Sequence, residues 1–584
     1  MNKLPKGGSF LLGQTNLQDI FTPEDFTEEH CMIFRTTMGF ITDNVLTRMD
    51  ELESKKEGLN RELLEASAEL GLLGTEIPEE YDGLAMDKIS SAIIAECMGW
   101  AGSFAQTQGG QVGIGSLPIV FFGSHEQKKK YLPGISSAEN IAAYALTEPG
   151  AGSDAMSIKT KAVLSPDGKY YILNGNKQFI TNAGIADVFI VFAKIDGDKF
   201  TAFIVDGNSE GLSFGPEEKK MGIKGSSTRT LFFEDVKVPV ENVLYEIGRG
   251  HVVAFNILNL GRYKVAAHCV GMAKYALELS ATFANDRKQF GIPIANFGLI
   301  KEKLAEMAVR IYVMESMVYR TGGLLENILH NLGTSGRNGG LVAARGIEEY
   351  ALECAMNKVF TSEELAYVVD EGVQIHGGYG FTSEYPIERL YRDARIYKIF
   401  EGTNEINRSL IPAALLRRAG KGDLPLQEAL EKLRVDLEEG VTFREGESGL
   451  VQAAKDIFLL TIGAGLQKYG DGLVKHQEII GRLADLAIQA FAMESAWLRA
   501  RKAVVKDGEA KAGLKLAMAK IYINSTIGRL EQIAKDTLAA LSEGQELRNF
   551  LENLQSLSRY IPLNTVVVRQ EIAATISAAC KYVV

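Results

Sequence analysis

Cysteine is scarce in this chain. Its 584 residues carry five, Cys31, Cys97, Cys269, Cys354 and Cys580, with no CxxC among them. An odd, scattered set builds neither a disulfide framework nor a thiolate zinc site. The seven histidines are equally dispersed and include no HExxH, so no metal centre is expected. Any redox chemistry must come from a bound organic cofactor. No run approaches the roughly 20 apolar residues of a membrane-spanning helix, and Phe10–Leu12 is too short for the core of a secretory signal. Excess positive charge is missing too: the net charge is −11 and the isoelectric point about 5.4, which argues against a nucleic-acid binder. A protein of the reducing cytoplasm is expected.

What is present is ordinary globular composition, 46% hydrophobic and 23% charged, in a chain too long for one core. Thr22-Pro23-Glu24-Asp25 opens a helical region with a cap, a first-position proline and an acidic third residue. Leu63, Leu64, Ala68, Leu70 and Leu72 follow at helical spacing, and a second helix is expected over Lys88–Trp100. The cluster Gly109-Gly110-Gln111-Val112-Gly113-Ile114-Gly115 contains a GxG. It follows a helix and has no acidic ribose partner, so a dinucleotide fold is not indicated; close approach of helices or of a ligand tail fits better.

After about Ala142 the period changes. Pro166-Asp167-Gly168, Asn174-Gly175, Asp196-Gly197-Asp198 and Asp206-Gly207 read as turns between short β-rich runs, which predicts an antiparallel sheet domain. Helical periodicity returns near Arg249 and runs past Leu416. A break at Ala419–Pro425 precedes a further helix-rich stretch. The fold class is α+β, mostly α, in four parts: a helical N-terminal domain at 22–141, a middle β domain at 142–245, a helical bundle domain at 246–418 and a helical C-terminal extension at 426–584.

Tyr391–Ile406, YRDARIYKIFEGTNEI, holds the most suggestive carboxylate. Glu401 precedes Gly402 and Thr403, where a glycine lets a ligand approach the backbone beside a potential base. The same three residues also serve as plain punctuation, a helix end followed by a C′ glycine and an N-cap threonine.

Tyr144-Ala145-Leu146-Thr147-Glu148-Pro149-Gly150-Ala151-Gly152-Ser153-Asp154 resembles the flavin-contacting signature of the acyl-CoA dehydrogenases. Gln374-Ile375-His376-Gly377-Gly378-Tyr379-Gly380-Phe381, followed by Tyr391-Arg392-Asp393-Ala394, resembles the second signature of that family, and the helix–sheet–helix order agrees over roughly residues 25–415. The resemblance implies an FAD enzyme that dehydrogenates fatty acyl-CoA to the trans-2-enoyl thioester and passes electrons to an electron-transfer flavoprotein. An acyl-CoA oxidase, or a non-catalytic assembly protein that kept the fold, are the alternatives.

It also implies roles. Tyr144, Leu146, Thr147 and Gly152 would meet the flavin, with Thr147 near N5 and Ser153 where cofactor and thioester join. In Gln178-Phe179-Ile180-Thr181, Phe179 stands where many members carry Trp; its ring would cover the flavin without an indole donor, with Ile180 beside it and Thr181 as a hydrogen-bonding group. Arg287 and Phe290, in Asn285–Gly291, would reach the FAD pyrophosphate of a neighbouring subunit, an anion that a guanidinium fork suits. Gln374, Gly377 and Gly378 would cradle the same cofactor, making a homodimer the active unit, and Thr403 and Glu405 would lie toward the adenine. His376 is not expected to be a base. Some members place the catalytic base one residue before an arginine on an earlier helix; here that residue is Gly261, so the base falls to Glu401. Asn259, Arg262 and Gly402 would contact substrate. Gly298, where shorter-chain members carry Gln, and the extension both resemble the very-long-chain subgroup. Lys421–Glu447 holds four basic and eight acidic residues, so weak membrane association at most is expected.

Overall fold

The structure, a computed structural model, describes residues 4–332, 339–440 and 445–584. The expected cap at Thr22 is real but closes only a 3₁₀ turn, Pro23–Asp25, in which the Thr22 N–H donates to Asp25 Oδ2 at 2.9 Å. Seven α-helices follow: α1 (Glu28–Phe40), α2 (Met49–Glu53), α3 (Leu59–Glu69), α4 (Lys88–Met98), α5 (Ser103–Gly109), α6 (Leu117–Phe122) and α7 (His125–Ser136). The glycine cluster forms neither a loop nor a dinucleotide turn. Gly110–Gly115 is a turn of π-helix continuing α5.

The sheet comprises β1 (Ala142–Ala145), β2 (Lys161–Leu164), β3 (Tyr170–Thr181), β4 (Val188–Ile195), β5 (Lys199–Asp206), β6 (Leu212–Phe214), β7 (Thr228–Pro239) and β8 (Val243–Leu244), in the order β6-β7-β3-β2-β4-β5-β8 with β1 also on β4. Expected to be antiparallel, it is mixed: β1 and β2 each run parallel to β4. Turn signals report hairpins alone, and these two pairings are made by longer crossovers. Asp196 and Gly197, both at positive φ, do form the tight β4–β5 turn. Asn174-Gly175 does not turn; it lies inside β3, where the β3–β7 register shifts between Leu173 and Gly175. Gly175 is required there, because a Cβ would stand 2.8 Å from Thr160 Cα.

Strand β4 reads as an unbroken apolar run because both of its faces are covered. Phe189, Val191 and Ala193 enter a separate sheet core with Leu173 and Phe203, while Val188, Ile190 and Phe192 join the main helical core.

After the sheet come α8 (Gly250–Asp286), the two-stranded hairpin β9 (Lys288–Gln289) and β10 (Ile292–Pro293), α9 (Gly298–Leu332), α10 (Gly339–Glu349), α11 (Ala351–His376), α12 (Pro386–Ala394) and α13 (Asn404–Gly420). The extension adds α14 (Leu426–Glu438), α15 (Gly446–Tyr469), α16 (Gln477–Asp507), α17 (Glu509–Leu541), α18 (Gly544–Ser558) and α19 (Thr565–Ala579). A buried charge pins it: Arg499 on α16, 0% exposed, pairs with Glu24 at 3.0 Å and Glu315 at 2.5 Å. The segment Gly446–Lys475 is long and apolar enough to cross a membrane by composition, but 78% of its apolar window is buried inside the protein. The acidic stretch at 421–447 includes residues 441–444, outside the described residues.

Candidate active site

Of the punctuation expected at Glu401-Gly402-Thr403 the cap is present, but the preceding 3₁₀ turn, Arg395–Lys398, stops short of Glu401. Thr403 caps α13 by accepting the Ile406 N–H at 3.3 Å. Glu401 and Gly402 both adopt left-handed backbone, φ 55° and 80°. For a residue with a Cβ this costs about 1–2 kcal/mol, so neighbours must hold it. Arg262 Nε donates to the Glu401 carbonyl at 3.1 Å, Lys358 Nζ to the Gly402 carbonyl at 2.8 Å, and Asn407 Nδ2 to the carbonyls of Gly402 and Thr403 at 2.8 and 3.1 Å. The second arm of Arg262 donates to Asn259 Oδ1 at 2.8 Å. Helices α8, α11 and α13 thus fix one three-residue loop.

The fixed loop lays the Glu401 side chain on Gly261: a Cβ at 261 would lie 2.6 Å from Oε2 and 2.8 Å from the carboxyl carbon. The carboxylate of 401 therefore occupies the space that a side chain from 261 would need. Glu401 is only half-buried as a residue, yet Oε2 is shut off from water with no hydrogen-bond partner. Burial raises its pKa to about 7, against the lowering pull of Arg262 and Lys358. The Tyr144 hydroxyl on β1 is also buried and partnerless; burial, then the charge of Glu401, pushes it well above the ordinary phenol range.

The turn after β1 hangs on a buried ion pair. Lys177, 0% exposed, donates to Glu148 at 2.7 Å and to the Leu146 carbonyl at 3.2 Å, and the Gln178 N–H donates to the Thr147 carbonyl at 2.9 Å. Glu148 further accepts the Lys159 and Thr160 N–H groups and the Thr160 hydroxyl. Beyond it Gly152 and Ser153 are exposed, and nothing lies within 4 Å of a Cβ built on Gly152. Across the turn Phe179 sits at a bulge, φ 59°, with 59% of its surface exposed. A bulge re-aims a side chain, and here it presents a bare ring. Ile180 points the other way into the sheet core. Thr181 and Asn182 face Gly110, whose built Cβ would stand 2.8 Å from Asn182 Nδ2.

A second group of expected residues lines a pocket of about 430 Å³ between α8 and α11. Arg287 is exposed, has no carboxylate partner among the described residues, and lies 5.4 Å from the Tyr379 ring. Gly377, at φ 60° and ψ −135°, and Gly378 leave its wall open. His376 donates from Nδ1 to the Gly372 carbonyl at 2.7 Å and stacks on Phe283; burial lowers its pKa, so it is a neutral structural residue. Gln374 is exposed and lies outside this lining, as does Phe290, 95% exposed at the hairpin tip. Glu405 is exposed beside the Thr403 cap. The two groups do not meet within one chain. From Gly261 to Asp286, α8 runs 25 residues, about 37 Å at helical rise.

Sequence reasoning missed Lys358, Asn407 and Asn182. Lys358 and its neighbour Asn357 stand fully buried within an apolar helix, which is the one local hint. Asn182, buried at φ 66°, joins sheet to α5 by donating to the Thr107 carbonyl at 3.0 Å.

These features fit a planar redox cofactor with an anionic tail: a bare aromatic ring, a partnerless buried hydroxyl near a partnerless carboxylate oxygen, and, beside glycines, a guanidinium with no carboxylate partner among the described residues. Comparison with known proteins agrees. Family models for the acyl-CoA dehydrogenase N-terminal domain match residues 27–139, for the middle domain 143–236 and for the C-terminal domain 248–416, and a further acyl-CoA dehydrogenase C-terminal domain matches 453–556. A probable acyl-CoA dehydrogenase of Bacillus subtilis is 52% identical, with 99% of this chain and 98% of that protein covered. The mitochondrial very long-chain specific acyl-CoA dehydrogenase of Rattus norvegicus is 34% identical, covering 94% of this chain and 86% of its own. The crystal structure of an acyl-CoA dehydrogenase complexed with FAD from Bacillus anthracis superposes with a TM-score of 0.98 at 52% identity, over 99% of this chain and 100% of that one.

Proposed function

The chain belongs to the acyl-CoA dehydrogenase family and is an FAD-dependent oxidoreductase, and on that premise we propose that it converts long-chain fatty acyl-CoA to trans-2-enoyl-CoA with Glu401 as the base. The observation that carries this reading is the Glu401 carboxylate: seated on Gly261, partnerless at Oε2 and raised by burial to about 7. A base poised near neutrality suits abstraction of a weakly acidic α-proton. The α C–H bond breaks and its proton goes to Glu401, while the β-hydrogen leaves with its electron pair. Bound FAD supplies the acceptor for that hydride. Arg262, Lys358 and Asn407 keep the base loop in its left-handed turn, and the Glu401 main-chain N–H donates to the thioester oxygen as negative charge develops there.

Phe179 covers the flavin, and Thr147, Thr181 and the Tyr144–Ser153 segment contact it. Arg287, Gly377 and Gly378 bind the pyrophosphate of a second copy, with Gln374 and Phe290 at the subunit junction and Thr403 and Glu405 toward the adenine. The roughly 37 Å along α8 supports this division, since a cofactor meeting Glu401 in one chain would take its Arg287 from another. Arg262 and Asn259 serve as positioning residues for the base, since both are buried and bonded to that loop or to each other.

A long acyl chain is supported by the likeness to very long-chain enzymes over the whole chain and by Gly109, whose built Cβ would have only His268 Cε1 within 4 Å. Gly110 is a packing glycine against Asn182. Electrons pass to an electron-transfer flavoprotein, not to oxygen. Glu401→Gln tests the assignment: the purified variant should stay yellow with FAD yet lose nearly all turnover of palmitoyl-CoA, and substantial turnover would refute it. Anaerobic bleaching of the wild-type flavin by palmitoyl-CoA should persist when air is admitted; rapid peroxide formation would identify an oxidase.

A further inference from the structure

The last turn of α8 leads directly into Arg287, and it is gripped from two sides. On one side the Phe283 ring stacks on His376 at 4.3 Å, and the Phe283 carbonyl accepts the Arg287 N–H at 2.9 Å. On the other side the chain's own carboxy terminus holds Asn285. Asn285 Nδ2 donates to the Ser577 carbonyl at 2.7 Å and to Cys580 Sγ at 3.1 Å, and the Ser577 hydroxyl donates back to Asn285 Oδ1 at 2.7 Å. Ser577 lies in the last turn of α19, some 290 residues away in sequence.

The tail has anchors besides this pair. Arg569, near the start of α19, pairs with Glu306 of α9 at 3.1 Å. Past the left-handed turn at Cys580, Tyr582 donates to Glu315 Oε2 at 2.9 Å and lies 4.9 Å from the Lys274 ammonium. Anchored before and after, the tail presents Ser577 to Asn285 as a fixed strut. Among the described residues Arg287 has no carboxylate to orient it, so its direction depends on the Tyr379 ring 5.4 Å away and on the backbone that Asn285 holds.

We infer that the carboxy-terminal tail, through the reciprocal Asn285–Ser577 hydrogen bonds, positions the Arg287 guanidinium and thereby sets how tightly the holoenzyme retains its cofactor. The extension then contributes to the cofactor site from a distance, although none of its described residues lines that site. Asn285 and Ser577 are positioning residues. The inference rests on the reading that Arg287 binds the FAD pyrophosphate.

The test measures FAD dissociation from diluted holoenzyme by flavin fluorescence in Arg287→Ala, Asn285→Ala, Ser577→Ala, the Asn285→Ala/Ser577→Ala double variant and Ser577→Thr. Asn285→Ala, which loses all three bonds, should release FAD roughly tenfold faster, and Ser577→Ala, which loses one, roughly threefold faster. The double variant should be no worse than Asn285→Ala, because that change alone removes all three bonds of the strut and Ser577→Ala removes only the hydroxyl one. Excess FAD should restore turnover, KM for acyl-CoA should not move, and Ser577→Thr, which keeps the hydroxyl, should behave as wild type. If Arg287→Ala releases FAD but the tail variants do not, the strut is overturned while the cofactor reading stands. If Arg287→Ala leaves FAD retention unchanged, the cofactor reading falls and this inference with it. Additive tail effects that excess FAD cannot rescue would show general loosening and overturn the positioning role.

Discussion

Substituting Gly261 by alanine should disable the enzyme without unfolding it. A Cβ there would stand 2.6 Å from Glu401 Oε2, 2.8 Å from Cδ and 3.2 Å from Oε1, and no other heavy atom is nearer. Relief to an ordinary contact near 3.5 Å requires the carboxyl group to retreat by about 0.9 Å. The obstructed atoms are the far end of a side chain, so folding should survive, with a thermal midpoint within a few degrees of wild type. Catalysis is less forgiving, since about 1 Å of misplacement can cost on the order of a hundredfold in rate. Gly261→Ala should therefore lower kcat for palmitoyl-CoA by about two orders of magnitude, with the flavin spectrum intact. The relocated pair Gly261→Glu with Glu401→Gly should recover part of that loss, because a carboxylate from α8 can enter the volume that Glu401 vacates. Near-wild-type turnover in Gly261→Ala would refute the placement of the base, whatever the residual fold.

Two further perturbations probe the buried charges that hold the site together. Lys177→Met strands the Glu148 carboxylate, which Lys177 now holds below its ordinary range despite burial. It should cost about 3–5 kcal/mol in chemical unfolding and weaken FAD retention; a loss under about 1 kcal/mol would show that the turn is held by other contacts. Arg499→Met takes one of two cations from each of Glu24 and Glu315, which keep Lys515 and Lys274, where α16 meets the rest of the protein. Because each carboxylate keeps a lysine, a smaller cost of about 1.5–3 kcal/mol is expected, read as faster proteolytic release of the extension; unchanged protease resistance would contradict the pinning role.

Fold class was legible because it is written locally. The period change near Ala142, the turn at Asp196-Gly197 and the break after Ala419 all act through neighbours in sequence, and the structure places elements accordingly. Asn174-Gly175 misled because the same dipeptide serves a two-residue turn and a bulge, and only the Thr160 backbone beside Gly175 decides between them. The parallel pairing of β1 with β4 left no signal, since crossovers depend on contacts between distant segments. Glu401 was singled out by the family resemblance and by Gly261 at the alternative position, not by its glycine and threonine, and the groups that hold its loop left no such signal. Arg262, Lys358 and Asn407 come from three helices, and the first two lie 139 and 43 residues before it, while nothing in an isolated helix indicates which carbonyl its polar residue will meet. The cap at Thr403 is compatible with the proposed base, because the left-handed pair before it turns the carboxylate onto Gly261.

The central claim is that one buried carboxylate, raised to about 7, governs proton abstraction. A base must be ionised to act, so the rate must rise as pH passes upward through that value. The direct measurement is kcat/KM for palmitoyl-CoA between pH 5 and pH 9, followed by anaerobic flavin reduction. The account predicts about a tenfold loss per pH unit below a single midpoint near 7, and near-zero activity at every pH in Glu401→Gln. A flat wild-type profile across that range, or a Glu401→Gln variant that still reduces its flavin at a comparable rate, would contradict it.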